Sequence, residues 1–216
     1  MKNLIWPKNV SYHPDDLPGQ GFRLVDELSH ADLTPFLMKY LKLRGRFIKV
    51  WLVATAINVL LLTSLVTMLM LRGKAGFGTL AESVLPALLL LLLLIPLHEW
   101  LHALAYRCAG SKKVSYIINW KKLYVAALAD RFVISRKPFY AIALAPFVII
   151  SSLLFIALLV CTNPFWQLAM ATTLLLHTIS CLGDFVMINY MQLRPEKEVV
   201  TYDDNEKGMS YFWVRD

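Results

Sequence analysis

The stretch Val84–His102, VLPALLLLLLLIPLHEWLH, decides how this 216-residue chain can fold. It is apolar as far as Leu97 and then ends in the pattern H-E-x-x-H, formed by His98, Glu99 and His102. Residues i and i+4 of a helix lie one turn apart on the same face, so the two imidazoles can bind one metal ion. The glutamate between them lies close enough to take a proton from a metal-bound water. The stretch therefore predicts a zinc-hydrolase site within an apolar helix.

The apolar setting of the motif makes it informative, because the five-residue pattern alone recurs by chance in unrelated proteins. Ionisable side chains inside a bilayer-spanning helix cost several kcal/mol unless they face a partner or a water-filled cavity, so they indicate functional sites. The alternative is that His98, Glu99 and His102 lie past the membrane edge, at the end of an ordinary interfacial helix. We favour metal binding.

The composition indicates a membrane protein. Apolar residues make up 57% of the chain, charged residues make up 17%, and the mean hydropathy is +0.54. A soluble domain has about 45–50% apolar and about 25% charged residues. The net charge is +7, but the Lys and Arg residues cluster beside apolar runs, which is typical of lipid contact rather than nucleic-acid binding. Cys108, Cys161 and Cys181 lack C-x-x-C spacing, so we predict apolar fillers without disulfides.

Four apolar segments are each long enough to cross about 30 Å of hydrocarbon, which takes about 20 helical residues. They cover about 47–71, 83–108, 138–160 and 165–193, and predict a four-span transmembrane helical bundle of the all-α class over residues 47–193. Residues 1–46 are predicted to be a cytosolic arm, loose as far as residue 28. A basic amphipathic helix then begins near Ser29 and Asp32 and lies on the membrane surface or packs on the protein. Residues 194–216 are predicted to be a cytosolic tail that folds back as a cap or, as its acidic part favours, remains solvated.

The distribution of positive charge predicts the topology. Lys and Arg are frequent before the first span and in residues 107–137, between the second and third spans. The 72–82 loop holds only Arg72 and Lys74. We therefore expect a multi-pass protein of the bacterial inner (plasma) membrane, with both termini and the middle connection in the cytosol. The motif then lies near the cytosolic end of the second span.

The middle connection is too rich in β-forming residues to be a plain loop. Residues 114–119 and 123–128 are predicted to be two strands around the basic turn Trp120-Lys121-Lys122, and residues 131–134 a further short strand. An exposed strand edge beside a protease site can bind an extended peptide. The alternative is a small cytosolic or interfacial cap with no role in substrate binding.

A third metal ligand is needed, because catalytic zinc usually has three protein ligands and a water. The fourth span offers His177 and Asp184, which lie two turns apart on one face. This span starts on the far side near Phe165 and rises about 1.5 Å per residue, so Asp184 nearly reaches the depth of the motif while His177 is about 10 Å shallower. We therefore predict Asp184 as the ligand, with Gly183 allowing close approach. His177, also an alternative ligand, and Asn189 are predicted to support the site by hydrogen bonds.

The combination of H-E-W-L-H on an apolar helix and Gly183-Asp184-Phe185 on a later span resembles the membrane-embedded zincins called putative zincin peptidases. More distantly it resembles the site-2 proteases. The resemblance covers about residues 47–193, and it implies zinc as the cofactor, Glu99 as the catalytic base and three zinc ligands: His98, His102 and Asp184. Site-2 proteases carry their aspartate in an N-P-D-G or L-D-G setting, whereas this chain has Leu182-Gly183-Asp184-Phe185, which weakens transfer of the site-2 substrate class.

These observations predict a membrane-embedded zinc metalloprotease that hydrolyses peptide bonds near the cytosolic face with a zinc-activated water. Its expected partners are the lipid bilayer and a peptide or membrane-protein substrate, and no nucleic acid is expected. The alternative is a non-catalytic membrane zinc protein that uses the same ligands as a sensor, a transporter or a scaffolding pseudoprotease.

Overall fold

The computed structural model describes residues 12–31, 33–41, 45–119 and 124–216. It contains four helical segments that are long and apolar enough to cross a membrane. These are α2 (Arg46–Leu71), α3 (Phe77–Cys108), α4 (Arg136–Val160), and α5 (Pro164–Ser180) followed by α6 (Leu182–Leu193). The predicted spans are confirmed as helices, and the fourth is interrupted at Cys181.

The outer faces of these helices are apolar. Leu60 on α2 is 64% exposed, Leu93 on α3 is 70% exposed and Leu159 on α4 is 68% exposed. Such a surface is costly in water and suits hydrocarbon. The arrangement is that of a multi-pass membrane protein.

Helix α5 lies at the centre of the bundle and contacts α2, α3 and α4. Its Leu168, Ala169 and Ala171 are almost completely buried, and small side chains let neighbouring helices approach closely. The central helix and its continuation α6 carry His177 and Asp184, so both side chains point into the bundle interior instead of toward its outer surface.

The predicted fold, a helical bundle of the all-α class with one small β-rich connection, is confirmed in part: the described residues are mostly helical, but both ends of the chain also enter a β-sheet. The strands are β1 (Arg23–Ser29), β4 (Ile134–Ser135), β5 (Glu198–Asp204) and β6 (Met209–Arg215), in the antiparallel order β1-β6-β5-β4. The loose arm predicted up to residue 28 and the solvated acidic tail are therefore corrected. Alternate residues of β6 are buried, which gives this sheet one face against the protein.

Asp26 on β1 fixes the N-terminal strand to the helices. It accepts hydrogen bonds from Tyr40 Oη (2.9 Å) and Tyr190 Oη (2.9 Å), and it pairs with Arg194. The short helix α1 (Leu33–Tyr40) buries Phe36 against Tyr190 and Phe212, with ring centroids 5.1 and 5.5 Å apart. Of the two alternatives for the amphipathic helix, the structure therefore shows packing on the protein. Its predicted cap residue Asp32 lies outside the described residues.

The middle connection divides between two sheets. Strands β2 (Ser115–Asn119) and β3 (Tyr124–Leu128) form a separate antiparallel pair, whereas β4 joins β5 of the larger sheet. The turn Trp120-Lys121-Lys122 lies outside the described residues. The larger sheet thus joins the N-terminal arm, the middle connection and the C-terminal tail at one end of the bundle, as expected for segments on the same side of a membrane.

Candidate metal centre

Helix α3 continues without a break through the motif and turns both imidazoles to the same side. His98 Nε2 and His102 Nε2 are 3.1 Å apart, and their rings meet edge to face. His102 is 8% exposed, since this end of α3 is buried against α4 and α5. The pair therefore presents two converging nitrogen donors in the interior of the bundle.

The carboxylate of Asp184 meets these two nitrogens. Its Oδ2 lies 3.3 Å from His98 Nε2, and its Oδ1 lies 3.3 Å from His102 Nε2. In a tetrahedral zinc site, bonds of about 2.0–2.1 Å place neighbouring ligand atoms about 3.3 Å apart. The three separations are each close to that edge length, with a different Asp184 oxygen facing each imidazole, and two imidazole nitrogens with one of these oxygens would leave a fourth position for water or substrate.

The second ring nitrogen of His102 is held by the backbone of α4. His102 Nδ1 lies 3.1 Å from the carbonyl oxygen of Ile142. A carbonyl can only accept, so Nδ1 carries the proton and Nε2 keeps its lone pair for a metal. The carbonyl is available because residue i+4 is Pro146, inside α4, which has no N–H to donate to it. A proline in the neighbouring helix thereby selects the ligating tautomer of His102.

We expect Pro146→Ala to weaken zinc binding by about 10–100-fold, the usual effect of losing a hydrogen bond that orients a histidine ligand. The substitution introduces a backbone N–H at position 146, which donates to the Ile142 carbonyl. It therefore competes with His102 Nδ1 for that carbonyl. Unfolding does not explain such a loss, since replacing a helical proline with alanine favours the helix by about 3 kcal/mol. Zinc affinity is measured by competition with a chromogenic chelator. Pro86→Ala, the same change far along α3 from the motif, is the control, and equal affinities of the two variants would refute this role.

Glu99 is held by the edge of β3. Its Oε2 accepts a hydrogen bond of 2.8 Å from the backbone N–H of Ala127. Alternate residues of an antiparallel strand direct their backbone groups away from the partner strand, so Val125 shares this outward edge with Ala127. The edge of β3 that is not paired with β2 thus faces the motif.

A cavity of about 340 Å³ contains these groups. The helices contribute His98, Glu99, His102 and Asp184 to its lining, together with apolar side chains of α1 and α4. The other walls come from both sheets, including Val125 and Ala127 of β3. The space is large enough for part of a peptide.

A second polar group lines the sheet side of the same cavity. Ser210 Oγ donates to Asp203 Oδ1 (2.6 Å) and lies 2.9 Å from His30 Nε2. Burial raises the pKa of Asp203 to about 6, and burial lowers the pKa of His30. This cavity wall therefore carries a carboxyl group whose pKa is about 6 and a histidine whose pKa is lowered by burial, and neither residue was singled out from the sequence.

The remaining predicted residues differ in where they lie. His177 is close to the site, with its ring centroid 5.7 Å from that of His98. Asn189 is not: its buried amide lies against Gly45 and has no hydrogen-bond partner among the described residues. A Cβ at Gly183 would meet no atom within 4 Å, so the close approach predicted there is wrong.

Two contributions to the orientation of the motif residues were also missed, and both come from the backbone. The Ile142 carbonyl could have been suspected from Pro146 in an apolar span, but its partner depends on the alignment of two helices. The Ala127 N–H carries no side-chain signal at all.

The comparisons with known proteins agree with this geometry. Residues 91–199, about half of the chain, match the model of a family described as "Putative zincin peptidase", and they include every residue of the H-E-x-x-H and Asp184 set. No curated protein and no solved structure matches the chain. The distant resemblance to site-2 proteases stays a prediction. The chain belongs to the family of putative zincin peptidases.

Proposed function

We propose that this protein is a membrane-embedded zinc metallopeptidase that hydrolyses peptide bonds near the cytosolic face. The observation that carries the proposal is the convergence of His98 Nε2, His102 Nε2 and both oxygens of Asp184 beside a glutamate. The site has the three protein ligands and the open position of catalytic zinc, whereas structural zinc usually has four protein ligands. The test measures zinc content and hydrolysis on the same preparations of wild type and of Glu99→Gln.

His98, His102 and Asp184 would hold the zinc ion. When bound, zinc supplies Lewis acidity toward a carbonyl oxygen and activates water for attack. Glu99 accepts the proton of the attacking water and delivers it to the leaving amine. Because Ala127 N–H bonds Oε2, the other oxygen of Glu99 takes this proton. The Ile142 carbonyl keeps His102 in the tautomer that binds the metal.

The substrate is proposed to bind as an extended segment along β3. Val125 directs its backbone N–H and carbonyl along this edge and Ala127 its carbonyl, while the Ala127 N–H is used by Glu99, and an extended peptide can pair with the groups that remain. A helical substrate would have to unwind first, because a peptide bond within a helix is protected by its own hydrogen bonds. The proposed position of the site near the cytosolic end of α3 would spare the substrate a deep passage through hydrocarbon.

The cytosolic location of the sheet end follows from the positive-inside rule and gives a labelling prediction. Lys112 is exposed in the middle connection, and Lys74 is exposed in the loop between α2 and α3. In a background with Cys108 and Cys161 replaced by Ser, a membrane-impermeant maleimide should label Lys74→Cys in intact cells. Lys112→Cys should react only after lysis.

Buried Cys181 is retained in this background, and the parent without a new cysteine measures its contribution. The reverse labelling pattern would contradict the topology, and labelling of both positions in intact cells would contradict the assignment of α3 as a membrane span.

A further inference from the structure

A second group of metal-binding side chains adjoins His98. Ligand atoms of His98, His177 and Cys181 all lie within 4.8 Å of one another. His177 is 2% exposed and Cys181 is completely buried, although both are in an apolar bundle. The predicted role of Cys181 as an apolar filler does not account for an imidazole beside its sulfur.

The separation of the two new donors suits a metal ion. His177 Nε2 lies 3.7 Å from Cys181 Sγ. Zinc bonds of about 2.0 Å to nitrogen and about 2.3 Å to sulfur give a tetrahedral edge of about 3.5 Å. The two residues are one helical turn apart, and Cys181 is the C-cap residue that follows the last residue of α5, so both donors are fixed by the same turn.

The ring of His177 is oriented in the same way as that of His102. Its Nδ1 lies 3.4 Å from Ser151 Oγ of α4, which leaves Nε2 on the side of Cys181. Histidine ligands usually have such a hydrogen bond on the nitrogen that does not bind the metal. Helix α4 therefore supports one imidazole of each group, through Ile142 for His102 and through Ser151 for His177.

We propose that His98, His177 and Cys181 form a second metal position, which takes a soft divalent ion such as zinc. Two imidazoles and a thiolate favour zinc over magnesium, calcium or manganese, and the thiol proton is released to solvent on binding. The position shares His98 with the proposed catalytic zinc. An ion bound there competes for His98, so, on the proposed function, zinc above the amount that fills the first position inhibits hydrolysis.

Cobalt is the probe for this position, because tetrahedral Co²⁺ replaces zinc and a thiolate ligand adds a charge-transfer band in the near ultraviolet. In detergent, the His102→Ala/Asp184→Ala double variant keeps the three proposed donors and removes two of the first position's three ligands, and Glu99, which has no sulfur, cannot give a thiolate band. We expect it to show the thiolate band, saturating at one Co²⁺ per chain. Adding Cys181→Ser should abolish the band, adding His177→Ala should weaken binding at least tenfold, and adding Cys161→Ser, the control, should change nothing.

Titration of the wild type separates this proposal from the proposed function. We expect the first equivalent of Co²⁺ to give visible bands without a thiolate band. The thiolate band should then appear and grow as more Co²⁺ is added. Visible bands without a thiolate band at any concentration would overturn the second position and leave the peptidase site intact. A thiolate band without a first, sulfur-free site would overturn the peptidase site. A band that survives Cys181→Ser would overturn the second position.

Discussion

Glu99→Gln is expected to lower the rate of peptide hydrolysis by about 10²–10⁴-fold, the usual contribution of a general base, while one zinc ion per chain remains bound. An amide has the shape of the carboxylate and can still accept the Ala127 N–H, but it cannot take a proton from water. Hydrolysis is measured with fluorescein-labelled casein in detergent, and zinc by elemental analysis of the same sample.

Glu82→Gln is the matched control, because Glu82 lies on the same helix with its side chain exposed. It should retain wild-type activity and zinc. A fully active Glu99→Gln variant would remove Glu99 from the mechanism. If wild type binds zinc but Glu99→Gln and wild type are equally inert toward unfolded and membrane-spanning substrates, the non-catalytic sensor or transporter becomes the better interpretation.

Asp184→Ala is expected to weaken zinc binding by more than about 100-fold, since loss of a ligand exceeds the 10–100-fold effect of losing a residue that orients one. The substitution removes the oxygen donor and leaves two imidazoles without their negative partner. The measurement is made in a Cys181→Ser background, which removes the second metal position proposed above, and zinc content after dialysis should fall from about one per chain to near zero. Hydrolysis should fall with it and recover in part at high added zinc.

Asp16→Ala, which removes an exposed carboxylate, controls for the loss of charge. Gel filtration and the circular dichroism of the helices show whether the bundle of the Asp184 variant is intact. Stoichiometric zinc in a folded Asp184→Ala variant that also carries Cys181→Ser would exclude Asp184 as a ligand. If His177→Ala lost the zinc instead, His177 would be the third ligand.

The helical part of the fold could be predicted because its signal is local. Each span is recognised from its own length and apolarity, without knowledge of its neighbours. The pairing of Asp184 with His98 and His102 was also within reach, because both spans cross the same thickness at the same rise per residue. The depth of a residue along its span can therefore be estimated from the sequence. This estimate places Asp184 level with His98 and His102, and the structure brings these three side chains together.

The sheet could not be predicted in the same way. Strand β1 pairs Arg23 with Val214, so the pairing joins the two ends of the chain and has no local signal. The acidic residues of the tail suggested solvation, although Asp204 is 4% exposed in the sheet. The alternating pattern of Ser210, Phe212 and Val214 is the local signal for a strand, and the acidic residues that precede it indicate the opposite, a solvated segment.

The pairing of β1 with β6 bears on how the protein is made. Strand β1 is synthesised before the four spans and its partner β6 after them, so β1 waits unpaired until β6 has been made. Leu28, next to the cavity on β1, and Ser210 on β6 meet only at that stage. A nascent chain that lacks β6 thus carries the motif helix without a complete cavity wall, and formation of the cavity is coupled to synthesis of β6.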